Sequence, residues 1–300
     1  MPILNPNESV AIVRPRTTAI PLVCDSPHSG TAYPGDFRFA VDLADLRRCE
    51  DTHVEALWAD VPAVGGTLIH ARFPRSYIDA NRACNDVDAA MLSEPWPEEV
   101  RPSAPCVNLG NGLVFSKTTT FRAIYDRRLS VSEVQRRIEA CWRPYRNALG
   151  DAVQHATATF GRAWHLNLHS MPSNAYERLG RSSKVPLADV VLGNLHGQSC
   201  SSEFTACVAG AFRSQGYSVA VNDPYAGQDL VREYGRTGSG CDSLQIEINR
   251  KLYLDEDTRM PLPRFGQVRE DIGRVLEAIA IHVRAELGPQ SDRPIAEDTP

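Results

Sequence analysis

The chain predicts an α/β fold: a single domain spanning residues 1–300, with a twisted, mixed but mostly parallel sheet flanked by helices. Three observations carry that expectation. Short β-branched runs alternate with helical patterns. Polar and ionisable residues collect just after those runs, at the edge where a parallel sheet binds ligands. And 300 residues with 42% hydrophobic content suffice for one large core.

Taken in order, the predicted strands are 20–24, 67–70, 77–80, 164–168, 189–192, 218–221 and 244–248. A helical pattern over 41–59 carries Leu43, Leu46, Val54, Leu57 and Trp58 and is interrupted near Glu50-Asp51-Thr52. Ser130 with Glu133 reads as a capping box opening a segment that runs to 159, kinked or divided at Pro144. Residues 204–213 form a helix that closes at Gly216. Residues 268–287 are amphipathic, with Ile272, Val275, Leu276 and Ile279, and end at Gly288-Pro289. Residues 94–105 read as a proline-rich loop and 110–120 as a loop or edge strand. The core is expected over about 12–288, with loose tails at both ends.

Composition excludes several function classes. The net charge is −5 and no long Lys/Arg run exists, so the footprint of a nucleic-acid binder is missing. No stretch of about 18 apolar residues predicts a membrane span. The N-terminus lacks a basic region followed by an apolar one, so no secretory signal is expected. Eight cysteines form no CxxC pair, which argues for reduced thiols and a cytoplasmic protein.

Two histidines stand in matching positions. Residues 20–24 run into Asp25-Ser26-Pro27-His28-Ser29-Gly30, and 164–168 run into His169-Ser170-Met171-Pro172. Two strand-end histidines suit a shared metal, because catalytic zinc takes three His, Asp or Glu ligands and keeps one position open. The third ligand is expected from Glu50-Asp51-Thr52-His53. In an extended segment Asp51 and His53 point to one side and either reaches the metal; in a helix only one does. His70, His155 and His282 sit inside strand or helix patterns and read as structural or exposed.

A metal-activated water needs a base. Glu247 lies in an apolar run, Gln245-Ile246-Glu247-Ile248, where burial raises a carboxyl pKa towards the useful range. Its competing reading is an edge carboxylate paired with Arg250. Arg82 and Arg75 are candidate clamps for a substrate carboxylate, since guanidinium binds it bidentately. The competing reading of Arg82 is an ion pair with Asp79. Arg232 and Arg236 near residues 222–227 are further candidates, and Asn194 and His196 add polar groups after another predicted strand. The combination points to hydrolysis of an amide beside an anionic group. A metal-free thiol hydrolase, with Cys200 activated by His196, is a second enzyme reading.

These segments resemble the N-formylglutamate amidohydrolase (deformylase) family. The matches are Asp25-Ser26-Pro27-His28-Ser29-Gly30, Glu50-Asp51-Thr52-His53, Phe73-Pro74-Arg75-Ser76-Tyr77-Ile78-Asp79-Ala80-Asn81-Arg82, Leu168-His169-Ser170-Met171-Pro172, 192–200, Tyr234-Gly235 and Gln245-Ile246-Glu247. They fall in family order from about residue 14 to 255. The resemblance implies a fold similar to zinc carboxypeptidases. It also implies zinc-dependent release of formate and glutamate at the end of histidine degradation, with cobalt or manganese as substitute metals. By motif, His28, Asp51 and His169 become metal ligands, Glu247 the base, and Asn81-Arg82 the grip on a substrate carboxylate. The implied partner is a small anionic N-acyl amino acid.

The chain departs from the family pattern at Asn167, where Asp is common, at Arg146 where Pro-Tyr-His is common, and at Gln228-Asp229 in place of Gly-His. A neutral Asn167 is expected to weaken support of the metal site. Asp229 is expected to place negative charge near the anion-binding loop. A different small amide substrate, or a binding protein that has lost catalysis, are the alternatives these departures raise.

Overall fold

In a computed structural model, residues 8–235 and 240–288 are described. Arg236 and most of the two tails lie outside them. The described residues form a seven-stranded sheet in the order β1-β3-β2-β4-β7-β5-β6. The strands are β1 (Val10–Val13), β2 (Leu22–Ser26), β3 (Thr67–Ala71), β4 (Ala163–Met171), β5 (Val190–Gly193), β6 (Val219–Val221) and β7 (Cys241–Asn249). β3, β2, β4 and β7 run parallel, β1 and β5 pair antiparallel at either side of them, and β6 follows β5. The sheet is mixed and mostly parallel, as the alternation of strands and helices predicts.

Two sequence expectations fail here. Residues 77–80 are not a strand but part of a tight turn after Pro74, with Tyr77 N bonded to Pro74 O and Asp79 N to Leu113 O. Pro74 at the head of the run removes a ladder donor and favours the turn. Conversely, Val10–Val13 forms an edge strand that the sequence reading passed over. Residues 110–120 are a loop with isolated bridges rather than a strand.

The helices are α1 (Leu43–Arg47), α2 (Val54–Leu57), α3 (Ala104–Leu109), α4 (Val131–Arg137), α5 (Arg143–Phe160), α6 (Ala175–Arg178), α7 (Ser202–Ser214), α8 (Asp229–Tyr234) and α9 (Phe265–Leu287). The predicted interruption near Glu50-Asp51-Thr52 separates α1 from α2. Asp51 N there bonds to His28 O at 3.0 Å, and His53 adopts φ 66°. α4 and α5 are joined by a π-helical turn, Ile138–Trp142. Pro144 lacks an N–H and crowds the carbonyl four residues back, and a widened turn relieves both problems without breaking the axis. Ser130 Oγ caps α4 by accepting from Glu133 N at 3.1 Å. The Glu133 carboxylate binds Arg127 and Arg137 instead of closing a capping box.

Strand periodicity sorts the central strands into two faces. Trp164, Leu166, Leu168, Leu244, Ile246 and Ile248 pack under α2, α7 and α9. The opposite face carries Asp25, His165, Asn167, His169, Ser243, Gln245 and Glu247, all buried. The register aligns Asp25 with Asn167, Asn167 with Gln245, and His169 with Glu247. A polar stripe thus crosses the sheet beside the second apolar cluster, which includes Ile69, Phe73, Tyr145 and Leu149.

Candidate metal centre

His28, Asp51 and His169 come together, buried, with one potential ligand atom from each lying within 4.8 Å of the others. His28 leaves β2 on a loop pinned by Gly30, where an added Cβ would lie 2.2 Å from Phe73 O. Asp51 arrives from the α1–α2 break and His169 from β4. The Nδ1 atoms of His28 and His169 face Asp51 Oδ2 at 3.3 and 3.0 Å. The open choice between Asp51 and His53 resolves geometrically: His53 turns away and packs against Phe265, ring centroids 5.9 Å apart.

The far sides of both rings are held. His28 Nε2 donates to Asp79 Oδ1 at 2.7 Å. His169 Nε2 donates to Asn167 Oδ1 at 2.6 Å. The chain of partners assigns the tautomers: Asp25 Oδ1 accepts from Asn167 Nδ2 at 2.8 Å, so the Asn167 oxygen faces His169. Protons on both Nε2 atoms leave both Nδ1 lone pairs towards Asp51. Asn81 is oriented in the same way, its Oδ1 accepting from Leu230 N at 2.9 Å and its Nδ2 facing Asn167 and His169.

Asn167 therefore does not strip the site of carboxylate support. It relays Asp25, which also accepts from Tyr145 Oη at 2.6 Å and His165 Nε2 at 2.8 Å. Burial opposes ionisation of Asp25, but His165, Tyr145 and Asn167 hold its carboxyl below the usual range. The other departures compensate each other: Arg146 pairs with Asp229, and with Glu233 at 3.0 Å, so the Asp229 charge is neutralised.

Electrostatics divide the acids. Burial disfavours the Asp51 charge, yet its close contacts with the His169 and His28 rings and the Arg75 guanidinium keep it well below the usual carboxylate range. Asp79 is likewise depressed against burial by His28 and Arg75. Burial, with His28 next, pushes His169 down to about 4. Glu247 moves the other way: burial, then the Asp51 charge, raises it to about 8. Its partner is Gln245 Nε2 at 2.9 Å, whereas Arg250, the expected partner, binds Asp51 Oδ1 at 2.7 Å. A base poised near neutrality beside a His–Asp–His cluster is suited to proton transfer.

A cavity of about 310 Å³ opens over these groups, lined also by Arg75, Asn81, Arg82, Tyr225, Gln228 and Arg250. Arg82 is not paired with Asp79. Its Nε donates to Asn111 O at 2.9 Å and its Nη1 to Gln228 Oε1 at 2.9 Å. Arg75 takes Asp79 instead, at 3.0 Å.

Three expected site residues are placed elsewhere. His53 is described above; Arg232 and His196 are exposed and do not line the cavity. For His196 the reason is strand direction: β5 runs antiparallel to β7, so its carboxyl end, with Asn194, points to the opposite sheet edge. There Asn194 bonds Asn222. The Cys200 thiol is buried, is pushed up to about 12 chiefly by burial, and contacts Thr205 rather than His196, so it is not an activated nucleophile. Residues that the sequence reading did not use, His165, Gln245 and Ser243, carried a signal in the alternation His165-Leu166-Asn167-Leu168-His169 and Ser243-Leu244-Gln245-Ile246-Glu247.

Comparison with known proteins places this geometry in a family. A profile of the N-formylglutamate amidohydrolase family matches residues 20–254. The chain is 24% identical over 242 residues to N-formylglutamate deformylases of Pseudomonas aeruginosa and Pseudomonas putida, covering 79% of this chain and 83% of each relative. The crystal structure of N-formylglutamate amidohydrolase from Ralstonia eutropha JMP134 superposes with a TM-score of 0.90 at 49% identity, covering 93% of this chain and 99% of that one. A gene product of Agrobacterium tumefaciens, 17% identical with a TM-score of 0.62 over 90% of this chain and 96% of its own, shares the fold. The chain belongs to the N-formylglutamate amidohydrolase family.

Proposed function

We propose that this protein hydrolyses the formamide of N-formyl-L-glutamate, or of a close N-acyl amino acid, releasing formate and the amino acid. The observation that carries this reading is the convergence of His28 Nδ1 and His169 Nδ1 on Asp51 Oδ2, with Glu247 beside His169 on the neighbouring strand. The names of the relatives supply the substrate.

Two neutral imidazole nitrogens and one carboxylate oxygen match the donor set of a catalytic zinc site, so His28, Asp51 and His169 would hold the ion. Cobalt or manganese are possible substitutes. A divalent metal there would polarise an amide carbonyl and lower the pKa of a water. The chain's own groups do the rest. Glu247 takes the proton of the water that adds to the formyl carbon, then delivers it to the amide nitrogen as the C–N bond breaks. Arg82, braced by Gln228 and Asn111, positions a substrate carboxylate, and Arg75 adds positive charge to the same wall. Asn81 orients Asn167 from the same turn, its Nδ2 donating to Asn167 Oδ1 at 3.2 Å.

Among the described residues no disulfide joins any of the eight cysteines, which supports a reducing, cytoplasmic setting, and the reading implies a place at the end of histidine degradation. Among the described residues no helix is long and apolar enough to cross a membrane.

The test is metal analysis of the purified protein combined with a formate-release screen over N-formyl amino acids. Bound divalent metal and formate from N-formyl-L-glutamate are expected; protein with no metal and no formate release overturns the reading.

A further inference from the structure

Five arginines line the cavity: Arg48, Arg75, Arg82, Arg178 and Arg250. Four are committed. Arg48 pairs with Asp257 at 2.9 Å, Arg75 with Asp79 at 3.0 Å, and Arg250 with Asp51 at 2.7 Å. Arg82 is held by Asn111 O and Gln228 Oε1, and lies 3.7 Å from Asp86. The Arg178 guanidinium makes neither a hydrogen bond nor an ion pair among the described residues.

Its surroundings do not explain an unpaired cation. Arg178 ends α6 and is half-buried, at the point where the cavity opens into a second hollow of about 300 Å³ that is lined also by Arg48, Arg250, Arg259, Glu256 and Asp257. Burial, then the charges of Arg250 and Arg75, work against its protonated form, while the Tyr225 hydroxyl and Cys49 thiol act the other way. Of the two acids in the hollow, Asp257 pairs with Arg48 and Glu256 accepts from Ser173 N, and among the described residues neither forms an ion pair with Arg178. Tyr225, on the same cavity wall, also has no hydrogen-bond partner for its hydroxyl among the described residues. A half-buried guanidinium without a counter-charge is costly unless something supplies one. A planar donor fork beside a free hydroxyl fits a carboxylate.

We propose that Arg178, assisted by Tyr225, is the specificity-determining residue that receives the side-chain carboxylate of the substrate, while Arg82 takes the carboxylate next to the scissile amide. The inference rests on the deformylase reading for the identity of the substrate, and makes that substrate a dicarboxylate held at two separate cationic points. Arg178 touches no metal-site residue, so its loss acts on the choice of amino acid rather than on the chemistry.

The experiment compares the metal-loaded wild type with Arg178→Met, Arg178→Lys and Tyr225→Phe on N-formyl-L-glutamate and N-formyl-L-glutamine. Arg178→Met is expected to lower the glutamate-over-glutamine preference in kcat/KM by about 10–100-fold, mainly through KM, as for loss of one charge-assisted bond. Arg178→Lys recovers part of that loss, and Tyr225→Phe costs roughly 2–10-fold. An unchanged preference, or equal losses on both substrates, overturns the proposal. Calorimetric binding of glutarate, against its monoamide glutaramate, gives a readout independent of turnover. Glutarate selectivity that disappears in Arg178→Met supports the site even if the wild type releases no formate, in which case the deformylase reading alone fails. Equal glutarate selectivity in both proteins overturns the site.

Discussion

Asn167 donates its amide to Asp25 across 2.8 Å, inside the sheet, and so delivers the influence of a carboxylate to His169 without being one. The pair is matched: an acid with three donors around it and an amide with one face for each neighbour. Converting Asn167 to an acid therefore does not improve this site.

In Asn167→Asp two carboxylates would face each other at the position of that 2.8 Å bond. Burial and the like charge raise the folded pKa of the new acid, so the cost is absent below about pH 4 and grows as pH rises. A loss of roughly 2–4 kcal/mol at pH 7.5 is expected in urea unfolding, shrinking at pH 4.5. The double variant Asp25→Asn with Asn167→Asp restores one acid and one amide, and should recover part of the loss. A single variant as stable as the wild type at pH 7.5 would contradict the relay.

Glu247→Gln should reduce kcat by roughly 10²–10⁴-fold while leaving metal content unchanged, because Glu247 is not among the clustered donors. Formate release and elemental analysis check both halves. Normal turnover would remove Glu247 from the mechanism.

The same variant has a signature in stability without metal. Glu247 is raised to about 8 in the fold, against about 4.3 in an unfolded chain. Between those values the native state keeps a proton that the unfolded state has lost. Wild-type stability in chelator should therefore fall as pH climbs from 5 to 8, by about 1–4 kcal/mol. Glu247→Gln should flatten that dependence and raise the melting temperature at pH 8 but not at pH 5. A parallel decline in both proteins would show that Glu247 is not the perturbed acid.

Asp79 accepts from His28 Nε2 at 2.7 Å and thereby keeps His28 Nδ1 unprotonated towards Asp51. Asp79→Asn is expected to weaken metal affinity by roughly 10–100-fold. Competition with a chromophoric chelator measures it. Unchanged affinity would mean that the ring needs no such support.

Cys200→Ser should retain activity, since its thiol is buried and raised to about 12. Chelation should abolish turnover and alkylation of the partly accessible Cys84 and Cys207 should not. The reverse pattern would revive thiol chemistry.

Much of this was readable beforehand where local chemistry is strong. The strand-end histidines, the buried acid Glu247 and the break at Asp51 follow from pattern and turn residues alone. Failures came where tertiary direction decides. The reversal of β5 against β7 carries Asn194 and His196 to the far edge, and strand direction is not encoded in a run of valines. The strand at 77–80 lost to Pro74, and β1 lies on an edge where its pattern is weak. Pairings such as Arg146 with Asp229 are invisible because 83 residues separate them.

His169 and Glu247 are cross-strand partners in parallel β4 and β7. Their separation is thus inherited from a repeat of roughly 4.8 Å common to all sheets, not negotiated by any loop. The loop bearing Tyr225 and Gln228 lies outside that ladder, so a change in it alters the substrate wall and leaves the His169–Glu247 spacing in place. Such a division between an invariant lattice and replaceable walls is what makes a scaffold evolvable: descendants can trade one amide substrate for another while the proton-transfer geometry stays in register.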